Sequence, residues 1–282
     1  MTTLNSELVN QTQLNLDIPA LVKQFHEEGY LLLRNVLTED KVKQLNSAID
    51  RIISEETESL AYNVYNSVER DPAILSLIDH PDLLPLMVNL LGFNIQLHIS
   101  HLTVRKPNPA DVKTATNSFI NWHQDGPHPQ FPKIGGLTST YYIKICYILS
   151  DMSEPDRGNT KIIPGSHTKP NFHPVQTDVD VPVENEIAVC GKPGDVFIFP
   201  QNLWHAGSHN RSEFERRQLF IGYSPFWIRP IDYHKASPEL LEGADPVRRQ
   251  LLGDISENCF KYYVPEESMV PLKKYWLNLS NS

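Results

Sequence analysis

The sequence predicts a mainly β domain, a sandwich or barrel of short strands with helices flanking it, and three observations predict it. Between residues 95 and 223, short β-prone segments alternate with turn signals, the spacing found in sandwiches and barrels. Ahead of residue 95, apolar side chains recur at helical intervals between cap residues. The 282 residues, 40% apolar and 21% charged, have ordinary globular composition, enough to bury one large core or two small ones.

Residues 1–17 read as a flexible lead-in, and residues 18–94 as mainly helical. A first helical pattern runs through Ile18, Leu21, Val22 and Phe25 to Gly29, a residue suited to the left-handed position that ends helices. The apolar run 30–33 suits a buried strand. Thr38 is placed to cap a second helix, whose apolar positions Val42, Leu45, Ile49, Ile52 and Ile53 share one face. A third amphipathic stretch runs from Pro81 to Gly92.

The β core is expected over residues 95–225, with strands at 95–104, 119–122, 140–149, 160–163, 186–189, 196–199 and 218–223. Turn signals separate them, among them Pro107-Asn108-Pro109, Gly135-Gly136, Pro155-Asp156-Arg157-Gly158, Pro164-Gly165 and Pro193-Gly194. Residues 226–282 form a mixed C-terminal extension with a helix at 246–252. There is no internal repeat and no linker long enough to separate domains, so the chain is read as one domain, 1–282.

Charge narrows the partners. Lys plus Arg number 25 against 34 Asp plus Glu, a net charge of −9, and a grip on nucleic acid needs the opposite balance. No stretch approaches the roughly 18 apolar residues that span a bilayer, and the polar start resembles no signal peptide. Cys146, Cys190 and Cys259 are an odd, widely spaced set that makes neither a disulfide framework nor a thiolate zinc site. The expectation is a cytoplasmic protein that contacts neither membrane nor nucleic acid, and the Asn-x-Ser/Thr sequons at Asn10, Asn210 and Asn278 are read as coincidence.

The candidate chemistry starts from His-x-Asp/Glu. On a strand, residues i and i+2 point to one face and can converge on one ion. With 11 histidines and 34 acidic residues, about one such triplet arises by chance, so context decides among the three present. His26/Glu28 ends a helix, where i and i+2 do not share a face. His80/Asp82 looks like a helix start, with Pro81 at the first helical position. His123/Asp125 instead lies where the strand through Trp122 runs into Gly126-Pro127, at a sheet rim that can face both a cavity and solvent. A plain His–Asp hydrogen bond at a turn would produce the same pattern.

A third ligand must come from elsewhere, and His205 is the candidate, delivered to a strand end by the turn–strand–turn that starts at Gly194-Asp195. Two histidines and one carboxylate on one face leave the opposite positions open, which suits a non-haem Fe(II) that binds a cosubstrate and dioxygen together. The remaining histidines mostly read as loop or helix residues with solvated or hydrogen-bonded roles. Eleven residues past His205, Arg216 and Arg217 open a strand. An Arg entering beside a metal can hold a carboxylate through two parallel hydrogen bonds, and strand alternation lets only one of the pair face inward. Without a metal site, the two would be ordinary surface arginines.

These stretches, together with Phe25-His26-Glu27-Glu28-Gly29-Tyr30, Gly158-Asn159-Thr160-Lys161-Ile162-Ile163-Pro164-Gly165-Ser166-His167 and Trp204-His205-Ala206-Gly207-Ser208-His209-Asn210-Arg211-Ser212, occur in an order that resembles the phytanoyl-CoA dioxygenase family of Fe(II)- and 2-oxoglutarate-dependent oxygenases, which includes ectoine hydroxylase. The likeness spans residues 20–225. It implies a double-stranded β-helix, the jelly-roll or cupin-like core, flanked by helices. It implies His123, Asp125 and His205 as iron ligands, and Arg216 on the distal carboxylate of 2-oxoglutarate, with Arg217 as the alternative should the register slip by one. His167 falls in a structural turn of the family pattern. Ala206 stands where Gly is usual after the distal His, and Thr160-Lys161 replaces the commoner Gly-Pro/Ala-Leu after Asn159. Neither departure touches a ligand position.

The implied reaction uses dioxygen and 2-oxoglutarate to hydroxylate a small molecule, releasing succinate and CO2. Ser208, Thr103 and Lys144 are candidates to steady the cosubstrate or the substrate. Alternation puts His101, Thr103 and Arg105 on one strand face, and Tyr142, Lys144 and Cys146 on another; should both line the barrel, the pocket is polar and partly basic. A carboxylate at 125 favours hydroxylation over halogenation within the family, while desaturation, epoxidation and cyclisation use the same ligands. Two readings of other classes are a non-catalytic jelly-roll binding protein, which a broken triad or missing Arg would mark, and a zinc hydrolase on the same ligands, which gives the Arg no purpose. Residues 106–118 and the tail from Phe226 are candidate lids. The acidic chain offers no basic cluster for CoA phosphates, which points to a free metabolite or natural product.

Overall fold

Local sequence accounts for the helices. In the computed structural model, which describes residues 14–108, 120–126, 133–175, 181–254 and 270–275, Asp17 caps α1 (Ile18–Glu28) by accepting from the Ala20 amide at 3.0 Å. The helix ends at Gly29, φ 79°, whose N–H donates to the Phe25 carbonyl. A side chain is excluded there twice over, by the left-handed backbone and because a Cβ would lie 2.3 Å from His167 Nδ1. Thr38 Oγ1 accepts from the Lys41 amide to cap α2 (Glu39–Ser54), which buries Val42, Leu45, Ala48, Ile49 and Ile52 along one stripe.

A short α3 (Pro72–Leu75) precedes α4 (Leu84–Leu91), the third amphipathic stretch. It starts later than Pro81 suggests. His80-Pro81-Asp82 is a turn, in which His80 Nδ1 accepts from the Asp82 amide and Asp82 Oδ1 accepts from the Leu14 amide. Toward the C-terminus lie α5 (Pro238–Leu241) and α6 (Pro246–Leu251). Among the described residues no helix is long and apolar enough to cross a membrane.

The strands form two main antiparallel sheets. In chain order they are β1 (Leu31–Leu33), β2 (Ala61–Val64), β3 (Ile95–Arg105), β4 (Ile120–His123), β5 (Lys133–Ile134), β6 (Leu137–Thr138), β7 (Ile143–Ile148), β8 (Thr160–Ile162), β9 (Ile187–Ala188), β10 (Val196–Pro200), β11 (His205–Gly207) and β12 (Arg216–Pro225). The larger sheet runs β1-β10-β7-β12-β3-β2 and the smaller β4-β11-β8-β9, while β5 and β6 form a hairpin about Gly135-Gly136. This is the jelly-roll layout with flanking helices. The apolar run 30–33 forms the expected strand, β1, which with β2 makes the two edges of the larger sheet. Only β2 departs from the expectation for residues 18–94: at four residues it is too short for periodicity to flag against the helices around it.

Alternation divides the larger sheet. Ile143, Ile145 and Tyr147 of β7, Val196 and Ile198 of β10, and Leu219, Ile221 and Tyr223 of β12 pack with the helices in one core. Cys146, Phe197 and Phe199 point the other way, meeting Ile162 of the smaller sheet. On β3 the alternation breaks. Leu97 and Leu102 both join the helix-side core though five positions apart, because the pairing with β12 skips a residue: Gly222 opposes Ile99 and Tyr223 opposes Leu97. His98 is the extra residue of a bulge. The larger sheet is pinned at one corner by buried Asp195, which accepts from Arg34 Nη1 at 2.7 Å and from the Asn35 and Lys192 amides.

Candidate metal centre and its cavity

His123 ends β4, His205 begins β11, and the two are directly opposed in the ladder. Asp125 lies two residues beyond His123, in the turn. One donor atom from each of the three lies within 4.8 Å of the others. Asp125 Oδ1 is 3.7 Å from His123 Nε2, and Asp125 Oδ2 is 3.4 Å from His205 Nε2. The segment Gln201-Asn202 clamps this arrangement. Gln201 O accepts from the Asp125 amide at 2.8 Å, Asn202 O accepts from Gln124 Nε2 at 2.5 Å, and Gln201 Oε1 accepts from the Tyr141 and Tyr142 amides at the head of β7. Both side chains are buried. They are positioning residues that motif reading passed over, since a Gln-Asn pair in a turn carries no local signature.

The donor chemistry fits a divalent ion. His123 Nδ1 lies 2.7 Å from the Asn121 carbonyl, and His205 Nδ1 lies 2.8 Å from the Leu203 carbonyl. Each Nδ1 must therefore carry the proton, which leaves a lone pair on each Nε2 facing the carboxylate, as in metal-ligating imidazoles. Burial, then the neighbouring His205, lowers the His123 pKa to about 4, so it is neutral at neutral pH. Burial works to raise the pKa of Asp125, but the Lys144 ammonium and then His205 outweigh it and hold the carboxyl well below its usual range. Lys144 Nζ stands 2.5 Å from Asp125 Oδ2, between the rings of Phe199 at 4.8 Å and Phe220 at 5.3 Å.

The three donors open on a cavity of about 580 Å³ that also reaches Arg216, Thr103, Arg105, His101, His98 and Tyr142. Arg216 is 5% exposed. Its Nη2 donates to Thr103 Oγ1 at 2.6 Å and its Nη1 to the Gly158 carbonyl at 3.2 Å, but Nε has no partner and no described carboxylate pairs with the guanidinium. Burial, reinforced by Arg105, lowers its pKa to about 9. A buried cation held only by neutral acceptors is costly unless an anion joins it, and a carboxylate with two oxygens fits that need.

The candidates divide by where their strands aim them. Thr103 and Lys144 reach the cavity. Arg217 does not: one residue along β12 it faces the helices, pairing with Asp50 of α2 at 2.8 Å and Glu215 at 2.8 Å. Nor does Ser208, which is buried past the end of β11, where the chain leaves the strand and its amide bonds to the Asn159 carbonyl. Cys146 shares a strand face with Lys144 but is sealed in the apolar layer between the sheets. Of the lid candidates, residues 109–118 lie outside the described residues, while Ile228, Arg229 and Ile231 of the tail border the cavity.

Two of the remaining histidines, His98 and His101, are strand residues, as alternation already implies for His101. Both lie on β3 and line the cavity. His101 follows the alternation with Thr103 and Arg105, whereas His98 reaches the same side only through the bulge. Burial, then Lys144, lowers the pKa of His98 to about 4. The same two causes, with Arg216 added, lower that of His101 to about 3.

The family model for phytanoyl-CoA dioxygenase (PhyH) matches residues 25–218. Ectoine dioxygenase of Sphingopyxis alaskensis is 24% identical over 266 residues, covering 80% of this chain and 83% of that protein. Dioxygenase andF of Emericella variicolor is 31% identical over 99 residues, a match spanning 35% of this chain and only 33% of that relative's length. The crystal structure of HygX from Streptomyces hygroscopicus, with nickel and 2-oxoglutarate bound, has a TM-score of 0.63 at 18% identity, covering 81% of this chain and 94% of that one. A likeness at that identity shows a shared fold.

Proposed function

The chain belongs to the phytanoyl-CoA dioxygenase family, and from that premise we propose that it is a 2-oxoglutarate-dependent non-haem iron dioxygenase that hydroxylates an unactivated C–H of a small-molecule metabolite or natural product in the cytoplasm. The observation that carries the reading is the convergence of His123, Asp125 and His205 within 4.8 Å on a cavity that also holds the buried, anion-seeking Arg216. A binding protein that had lost the reaction would not need both, and a zinc hydrolase would leave Arg216 without a role.

In this reading His123, Asp125 and His205 would hold Fe(II). With 2-oxoglutarate bound, that site would supply the activation of dioxygen needed for hydroxylation, one oxygen atom going to the substrate and the other to succinate, with CO2 released. The chain's own residues do the placing. Arg216, braced by Thr103 and the Gly158 carbonyl, grips the distal carboxylate of the cosubstrate. Lys144 holds the Asp125 carboxylate from 2.5 Å and would steady the cosubstrate or the substrate. The aromatic rings of Phe199 and Phe220 flank that ammonium and keep water from it.

Anaerobic addition of Fe(II) and 2-oxoglutarate tests the proposal: a weak visible charge-transfer band is expected, dependent on all three ligands. Candidate metabolites are then screened for stimulation of succinate release. Absence of the band, or a protein that takes zinc but refuses ferrous iron, overturns the assignment.

A further inference from the structure

Among the described residues, the cavity contains two imidazoles that the proposed iron chemistry does not use. His98 is 2% exposed, and neither of its ring nitrogens meets a hydrogen-bond partner. His101 leaves its Nε2 buried and unpartnered as well. Such groups are costly unless something supplies their hydrogen bonds, and both line the same cavity.

The fold holds His98 there by its strand pairing. The bulge opposite Gly222 and Tyr223 turns it from the helix-side core to the cavity, and its ring packs on Tyr142 with centroids 4.4 Å apart. Its backbone carbonyl accepts from the Ile231 amide at 3.0 Å, which ties the bulge to the tail that borders the cavity. His101 stacks on Tyr65, centroids 4.2 Å apart and planes 11° apart. Tyr65 and Ile231 stay 55% and 59% exposed at the cavity edge, an apolar rim with nothing described to cover it.

We propose that His98, with His101 beside it, recognises the substrate, and that the substrate is an uncharged, hydroxyl-bearing molecule with an apolar ring face that rests on Tyr65 and Ile231. A neutral imidazole offers one N–H donor and one acceptor nitrogen. A hydroxyl satisfies either, whereas a carboxylate cannot donate to the acceptor. An ammonium group is opposed by Lys144, Arg105 and Arg216, which share the cavity. The proposal rests on reading the cavity as the oxygenase site.

The test uses protein loaded anaerobically with Fe(II) and 2-oxoglutarate, and four bicyclic probes measured by equilibrium dialysis: 2-naphthol, 2-methylnaphthalene, naphthalene-2-carboxylate and 2-naphthylmethylammonium. Wild type is expected to bind 2-naphthol at least about tenfold more tightly than the methyl analogue, the effect of leaving a buried donor or acceptor unpaired, and more tightly than either ion. His98→Phe keeps the stacking on Tyr142 and should bring the naphthol and methyl analogue to within about twofold, while His98→Gln, which retains a donor and an acceptor, should preserve the preference. The proposal is overturned if wild type binds the carboxylate best, if it fails to separate naphthol from the methyl analogue (binding of neither included), or if the preference survives His98→Phe. Should that variant not fold, the wild-type ranking and His98→Gln decide. 2-Oxoglutarate binding is titrated separately: its loss with the probe ranking intact overturns the oxygenase reading and leaves the recognition role standing, and the reverse result does the opposite.

Discussion

His123 and His205 are partners across one rung of the small sheet, with ring centroids 4.2 Å apart. Neighbouring strands hold them together without needing an ion to do so, and the turn through Asp125 closes the third side. A ligand set preorganised in this way should bind metal without a folding transition. Asp125→Ala and His205→Ala are each expected to cut turnover by at least about a thousandfold while leaving the far-UV circular dichroism of the wild type. Metal titration by calorimetry checks the cause, since metal affinity should fall with activity.

Arg216 and Arg217 are adjacent in sequence and opposite in consequence. Arg216→Leu removes a buried cation that has no described counter-ion, so the protein without 2-oxoglutarate should be equally stable or more so. The variant should also lose the thermal stabilisation that 2-oxoglutarate gives the wild type and bind it at least about a hundredfold more weakly. Arg217→Ala should cost about 1 kcal/mol or less through its half-exposed pairs with Asp50 and Glu215, with 2-oxoglutarate affinity unchanged. Differential scanning fluorimetry with and without the cosubstrate separates the two, and the reverse pattern would move the carboxylate grip to Arg217.

Gly222 sits across from the bulge and beside Lys144 in the ladder. A Cβ there would lie 2.6 Å from Ile99 Cγ2, so Gly222→Ala must push Ile99 into the cavity or open the β3–β12 pairing. The expected cost is about 1–3 kcal/mol in stability, together with a rise in substrate KM. Chemical denaturation and steady-state kinetics read the two effects.

The neutral histidines of the cavity set a pH dependence. His98 and His101 have pKa values near 4 and 3 when folded, against 6.5 in the unfolded chain. His98 faces Lys144 and Asp125, and His101 also faces Arg216 and Arg105. Between those values the unfolded chain binds protons that the folded one refuses, so stability is complete above about pH 6.5 and is lost as the pH falls toward 4. Tm of the metal-free protein should drop by about 5–10 °C between pH 7 and 5. His98→Phe should make that slope shallower, and an unchanged slope would mean that other groups carry it.

Much of this protein is legible one segment at a time. The caps at Thr38 and Gly29 and the helical stripe of α2 are written within a few residues of where they act, and so is most of the strand pattern from β3 to β12. His123 and Asp125 are two residues apart on a strand running into a turn, and alternation alone puts His101, Thr103 and Arg105 on one face. The short edge β2 and the Gln201-Asn202 clamp were not legible, because each acquires its role from a partner far along the chain.

By itself, then, the sequence determined the class of fold, the order of its elements and the residue types available for iron and a carboxylate, since these depend on short-range periodicity and side-chain chemistry. Only the tertiary structure decided which arginine turns inward, that Ser208 falls short of the cavity, and that His98 crosses from the helix side to the cavity side. Those outcomes depend on register between strands distant in the chain, where one skipped residue reverses every face that follows it.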